Sequence, residues 1–242
     1  MALFQSPNIV TDKLVFYLDA ANTKSYPGSG TTWKDISKND NNCTLNNMPS
    51  DAFKNANLGF MDFAGDDDFV GSALDAPFYQ FGTADYTFGN WVKYDLLDEF
   101  VSTISIGHYT YDGSWQLDLT GSDVVRYKLT ASSGNLDFNS TLTPTLGRWY
   151  YIVVTSDRSE NNAKIYVDGV LNATSSTDSQ YGSLSIGTGF GDNSDNIFKI
   201  GKNRGNDHFL NGGIAQVQVY NGKALTAAEV LQNYNAHKGR YV

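Results

Sequence analysis

The chain has 242 residues, 40% hydrophobic and 14% aromatic, and its 17 Lys and Arg against 26 Asp and Glu leave a net charge of −9; with no basic run, the sequence argues against nucleic acid as a partner, which needs clustered cations. No stretch approaches the roughly 18 apolar residues of a membrane-spanning helix, and the opening MALFQSPNIVTDK has neither the basic start nor the apolar centre of a secretory signal. Cys43 is the single cysteine and His108, His208 and His237 are the only histidines, which excludes an internal disulfide and disfavours a mixed Cys/His zinc site.

Residues 1–12 precede the first strand and carry Leu3, Phe4, Ile9 and Val10 around Pro7 and Asn8. Such a segment needs cover in water. It is expected to be a terminal arm that docks on its own domain, on a second copy or on a neighbouring protein. KLVFYLD follows as the first strand, with Leu14, Phe16 and Leu18 on one face. After a loop rich in Gly, Asn, Ser and Asp, further strands are predicted at YTFGNWVKY (86–94), VSTISIG (101–107), SWQLDLT (114–120), VVRYKLT (124–130) and WYYIVVT (149–155). WYYIVVT is apolar on both faces and is expected at a sheet centre, covered on two sides. In KIYVDGVLNAT, Asp168-Gly169 has the composition of a two-residue hairpin turn with positive φ at both positions. FKIGKN and GGIAQVQVYN complete the set. One helix closes the chain, with Thr226 as N-cap, Glu229 completing a capping box, Val230, Leu231 and Tyr234 as its apolar stripe, and Gly239 as its stop. Leu231 is expected to be buried, and Phe16, Phe88, Trp91, Ile152, Val154, Tyr166 and Val219 to form the core. A dozen short strands without an internal repeat predict one all-β domain over residues 13–242, a two-sheet antiparallel sandwich with one C-terminal helix.

The opening KLVFYLDAANTKSYPGSGTTWKDISKNDNN, then FAGDDDFV, YTFGNWVK, RWYYIVVTSD, KIYVDGV, FKIGKN and LNGGIAQVQVYNGKALTAAEVLQNYNA, resembles the LamG-like, concanavalin A-like jelly-roll domains in that order. FAGDDDFV is similar to the family's F-x-G-x-x-D-Y-V and YTFGNWVK to its F-T-x-x-x-W-V-K, whereas Asp35-Ile36-Ser37-Lys38-Asn39-Asp40-Asn41 lacks the usual turn glycines. The resemblance implies a jelly-roll sandwich and leaves function open, because this fold carries many jobs. The wording of the first strand and of the C-terminal segment also resembles tail and virion-surface proteins of marine bacteriophages.

Many such domains hold calcium, which takes six to eight oxygen ligands. The resemblance makes calcium a candidate cofactor, with Asp19, Asp35, Asp66 and Asp68 as candidate ligands. The acid that many relatives place early in the last strand is missing from Ile214-Ala215-Gln216-Val217. A sandwich glycosidase needs two facing carboxyl groups, and laminarinase-type relatives place them as E-x-D-x-x-E. Glu99, Glu160 and Glu229 stand far apart, leaving Asp118 as the strand carboxylate that would face a cleft. Glycan contact is expected instead from loop aromatics and short polar groups: Tyr109, Tyr111, Asp112 and Trp115 in HYTYDGSW, with Phe190, Asp192 and Asn193 in GTGFGDNSDN. The leading expectation is a non-catalytic decoration, fibre or adhesin module of a phage particle that contacts host glycans, made in the host cytoplasm and carried on the virion surface. Its partners would be other virion proteins or a second copy through residues 1–12. A lectin outside a virion and a glycoside hydrolase are the rival readings.

Overall fold

Strands with every second residue apolar bury one face, so they pair into sheets that must then find cover. A computed structural model describes residues 7–97, 100–107, 113–131, 134–176, 184–186, 197–203 and 208–242. Its strands begin with β1 (Leu14–Asp19), β2 (Thr32–Trp33), β3 (Cys43–Asn46), β4 (Phe53–Lys54), β5 (Phe60–Ala64), β6 (Phe69–Gly71), β7 (Tyr86–Tyr94) and β8 (Ser102–Ile106). They continue with β9 (Ser114–Leu119), β10 (Val125–Ala131), β11 (Gly134–Asn139), β12 (Trp149–Asp157), β13 (Asn162–Val167), β14 (Val170–Thr174), β15 (Phe198–Ile200) and β16 (Asn211–Asn221). A single α-helix among the described residues, α1 (Ala227–His237), follows.

Two antiparallel sheets result. The first runs β14-β13-β12-β7-β16-β5-β4, and the far half of β16 pairs with β1. The second runs β11-β10-β9-β8-β15-β6-β3-β2. This is the jelly-roll sandwich expected, and β2 to β6 and β11 are strands that the reading of the sequence missed. Phe16, Phe88, Ile152, Val154 and Val219 are buried between the sheets. Ring pairs such as Phe88–Trp115, 4.3 Å between centroids, and Phe16–Phe198, 5.4 Å, join the two layers; each such pair adds about 0.5–1.5 kcal/mol beyond its buried area. At the β13–β14 turn Asp168 (φ 51°) and Gly169 (φ 82°) both take positive φ, as predicted. A Cβ on Gly169 would stand 2.9 Å from Leu231 Cδ1, so the turn packs directly on the helix.

The outer face of the first sheet carries a second apolar layer, with Trp91, Tyr151, Val153, Tyr166 and Tyr220 under α1. That explains why WYYIVVT is apolar on both sides. The capping box forms as predicted: Glu229 N–H donates to Thr226 Oγ1 and Thr226 N–H to Glu229 Oε2. The stripe forms only in part: Val230 is buried and Tyr234 packs on Trp91, whereas Leu231 is 42% exposed, because the helix is turned to lay Asn233 over Gln218 and Tyr220. Removing Leu231 therefore opens no closed cavity.

Asn233 also fixes the chain start. Its Oδ1 accepts from Val10 N–H at 2.8 Å, Val10 O accepts from Tyr220 Oη at 2.9 Å, and Gln232 Nε2 donates to Asn8 O. Residues 8–10 thus dock on their own domain; Leu3 and Phe4 lie outside the described residues.

His237 is buried beside Tyr17, Asp19 and Arg240, with Nε2 3.2 Å from Tyr17 Oη. Burial, then the Arg240 charge, lowers its pKa to about 4. A histidine held neutral in the fold stabilises it above the unfolded value of 6.5, and that contribution is lost as pH falls from 6.5 to about 4. Over that window it is worth about 3 kcal/mol. Urea unfolding at pH 7 and pH 4 should show a loss smaller by about that amount in His237→Gln than in the parent. Equal losses in the two proteins would show that His237 does not titrate on unfolding.

Candidate functional site

Each sheet has an outer face. Helix α1 closes the first, and the second bears polar side chains, because SWQLDL, VRYKLT and GNLDFN alternate in step once paired. Cross-strand partners point the same way, so Trp115, Leu129 and Leu136 share the inner row and Leu117, Tyr127 and Phe138 the next. The outer row between them runs without a break across all eight strands: Thr32, Thr44, Gly71, Lys199, Ser105, Gln116, Lys128 and Asp137. At about 4.8 Å per strand it is roughly 30 Å long. A neighbouring row holds Ser102, Asp118, Arg126 and Asn139. The register shift between Ser102 and Ile104 adds one residue to β8, so that Ser102 and Ser105 both face outward while Ile104 and Ile106 face the core.

Asp118 is the most deeply buried acid of this face. Arg126 grips it with two bonds, Nε to Oδ1 at 3.0 Å and Nη2 to Oδ2 at 2.7 Å, and Gln116 Nε2 donates to Oδ2 at 2.5 Å. Burial pushes the Asp118 pKa up to about 6, against Arg126 and Gln116, whose bonds favour the carboxylate. Arg126 also reaches Asp137 at 3.5 Å. Ser102 Oγ, Ser114 Oγ and Asn203 Oδ1, all buried at this face or its rim, have no hydrogen-bond partner among the described residues. Buried polar atoms are nearly always paired with protein, water or ligand.

Phe100 stands at the rim. It is 38% exposed at φ 62°, a left-handed conformation that a bulky residue rarely adopts. The Arg126 guanidinium lies 5.8 Å from its ring centroid, Asn203 Nδ2 donates to its carbonyl, and its ring meets His208 edge-on at 6.0 Å. His208 is itself at φ 67°. Two adjacent strained residues holding an aromatic ring half in solvent beside a polar row form a surface suited to a ring-shaped, hydroxyl-rich ligand.

Residues 68–231 match the family described as the Concanavalin A-like lectin/glucanases superfamily. The chain belongs to that superfamily. Among solved structures it is similar to domain 4 of an extracellular arabinanase of Geobacillus stearothermophilus, in complex with arabinotriose, at 18% identity and TM-score 0.65, covering 92% of this chain and 98% of that one. It is also similar to Trypanosoma rangeli sialidase at 16% identity and TM-score 0.64, covering 99% of this chain and 37% of the enzyme. The binding domain of botulinum neurotoxin DC, in complex with rat synaptotagmin II, matches at 14% identity and TM-score 0.61, covering 94% and 52%. The chain therefore spans about a third of the sialidase and about half of the toxin chain. At these identities the likenesses speak for the fold. No curated protein matches the sequence.

Within this concanavalin A-like frame the residues expected to bind fall differently. Trp115 is 1% exposed and stacks on Phe88, so it is a core residue and its expected place in a glycan site is corrected: its strand neighbours Ser114 and Gln116 take the outer face. Tyr109, Tyr111, Asp112, Phe190, Asp192 and Asn193 lie outside the described residues.

The candidate calcium ligands are not brought together. Asp19 ties the first strand to the C-terminus, with Arg240 Nη1 at 2.9 and 3.0 Å and the Tyr17 hydroxyl at 3.1 Å. Asp35 accepts from the N–H groups of Tyr17, Ser37 and Asn41, closing its own loop. Asp66 accepts from Asp67 N–H, and Asp68 Oδ2 from Ala64 N–H, in the β5–β6 turn. Among the described residues no three His, Cys, Asp or Glu side chains converge on a common point. Sequence reasoning passed over Gln116, Arg126 and Ser105. The signal was present in the alternation of SWQLDLT and VVRYKLT, whose polar positions also form one continuous face.

Proposed function

We propose that this chain is a non-catalytic glycan-binding module that lays a sugar chain along the outer face of its second sheet. The observation that carries the reading is the outer row, polar on every strand but at Gly71, flanked by buried Ser102 Oγ and Ser114 Oγ, unpartnered among the described residues, and by the half-exposed ring of Phe100. Hydroxyls would pair with the amide and hydroxyl groups, and a sugar's C–H face would stack on the ring. The arabinotriose complex of a domain of the same fold supports this reading by analogy alone. The test is a glycan array with the parent and Phe100→Asn. Asn tolerates the left-handed conformation, so the substitution removes the ring and keeps the backbone. Binding should fall about tenfold or more, as for loss of an aromatic anchor, with an unchanged melting midpoint. Equal binding by the two folded proteins would defeat the assignment.

Hydrolysis is the second reading, favoured by one observation: a buried acid, Asp118, with a pKa near 6. Both of its oxygens are already occupied by Arg126 and Gln116, and Asp137 shares the same arginine. A general acid must be free to give its proton to the leaving oxygen. No reducing sugar is expected from β-glucans, agarose or host polysaccharide. Turnover that disappears in Asp118→Asn would promote the hydrolase reading.

We place the module on a bacteriophage particle, as a decoration, fibre or adhesin component facing host glycans. The support is the likeness of its first strand and C-terminal segment to phage tail and surface proteins. Its partners in this reading are other virion proteins or a second copy, reached through the residues ahead of the docked segment 8–10. Mass spectrometry of purified particles tests the placement, and absence of the chain from them would return the module to a free lectin.

A further inference from the structure

A second concavity lies at the edge of the first sheet closed by β4, between that strand and the loop that follows β1. It measures about 340 Å³ and is lined by Tyr26, Pro27, Thr23, Phe53, Asn55 and Leu58, with no charged side chain among the residues that line it. The Tyr26 and Phe53 rings stand 5.3 Å apart at 49°. Ligand pockets begin at roughly 300 Å³ and combine apolar walls with a few polar groups. The volume is thus near the lower limit, room for one ring and not for a chain.

Its walls are built in advance. Tyr26 Oη donates to Gly30 O at 2.9 Å, Ser25 Oγ donates to Lys34 O at 2.6 Å, and Asp19 N–H donates to Ser25 Oγ, holding the loop from residue 20 to 34 in place. The opposite lip is the turn Asn57-Leu58-Gly59, with φ of 53°, 64° and 127°. Gly59 is pressed on the loop, where a Cβ would come within 3.0 Å of Ala21 Cα. Leu58 takes a left-handed conformation that a bulky residue rarely adopts, and it stands 68% exposed at the mouth of the pocket. A leucine side chain would lower the free energy by turning inward. It stands outward instead, as an apolar lip over an aromatic floor.

From this geometry we infer that the pocket is a second binding site, one that takes a single uncharged sugar ring. The ring's C–H face would lie against Tyr26, Phe53 and Leu58, and its hydroxyls would meet Asn55 and Thr23. The absence of charge in the lining excludes sialic and uronic acids as preferred ligands, because their carboxylate would be desolvated without a partner. The inference is independent of the polar face, and its test keeps the two apart. Amide chemical shifts of the full chain are followed while neutral methyl glycosides (arabinofuranoside, galactopyranoside, glucopyranoside, mannopyranoside) and methyl sialoside are added. Saturable shifts at Ala21, Gly28 and Asn55 are expected with at least one neutral glycoside. The dissociation constant should rise about tenfold, or 1.4 kcal/mol, in Phe53→Ala and in Leu58→Ser, and stay unchanged in Phe100→Asn. Because Leu58 is exposed, its substitution keeps the test sound if Phe53→Ala weakens the fold. No saturable shift with any neutral glycoside, a preference for the sialoside, or binding that survives Leu58→Ser unchanged would each overturn the inference.

Discussion

Trp91→Ala is expected to lower the free energy of unfolding by about 3–5 kcal/mol. The indole is fully buried on the outer face of β7, between the first sheet and the C-terminal segment. Its ring lies 5.3 Å from Tyr151, 5.6 Å from Tyr234 and 4.5 Å from Tyr241. Truncation leaves a cavity that rigid strands on one side cannot fill. Shifts of about 2–4 °C per kcal/mol hold for chains of this size, so the melting midpoint should fall on the order of 10 °C. Proteolysis should then attack residues 227–242 first, because this layer is what holds α1 down. A midpoint within a degree or two of the parent would mean that the helix does not rest on this ring.

Asp118→Leu should cost about 3 kcal/mol, the lower end for breaking a buried ion pair. Arg126 loses both of its bonds to the carboxylate and keeps only the longer contact to Asp137. Replacing both partners is a different matter. The desolvation cost of the pair disappears with the pair, so Asp118→Leu/Arg126→Leu should recover most of the loss. The pH dependence separates the cases as well. With its pKa raised from 3.8 to about 6 in the fold, Asp118 contributes stability that is full below about 4 and lost as pH rises through about 6. That dependence should be present in the parent and absent from the double variant. A single variant as stable as the parent would show that Asp118 is not paired in solution. If the double variant folds but loses glycan binding, the pair serves recognition more than stability, as the proposed site requires.

Much of the fold is legible in the chain itself. YTFGNWVKY and SWQLDLT alternate strictly enough to mark the strands. Asp168-Gly169 marks its turn because few residue pairs tolerate two positive φ values in succession, and Thr226 with Glu229 marks the helix start because the box is a purely local exchange of bonds. β11 escaped because GNLDFN has only Leu136 and Phe138 to signal burial, and it is fixed by pairing with β10. Leu231 was assigned to the core because a helical stripe predicts that one face is buried, and not how far the helix is rotated about its axis. That rotation was decided by Asn233, which had bonds to make with Val10, Gln218 and Tyr220.

The candidate site divides in the same way. Composition excluded a basic, phosphate-binding surface, and alternation placed Gln116, Asp118, Arg126 and Lys128 on the face opposite the core residues. What alternation cannot say is which of two outer faces stays open. Both sheets have one: α1 docks on the first, and on the second Ser105, Gln116, Asp118 and Lys199 are buried while Phe100 and Asp137 stand at the surface. Nor does sequence spacing bring Phe100 to Arg126, or Lys199 beside Ser105, since these meet through pairings of strands far apart in the chain. An aromatic next to a loop reads as a surface residue, and Trp115 was taken for one. It stacks on Phe88 because it shares the parity of Leu117 and Leu119 in β9, whose side chains face the core. Local chemistry fixes what each segment can become; the contacts between segments decide which of its faces is left to act.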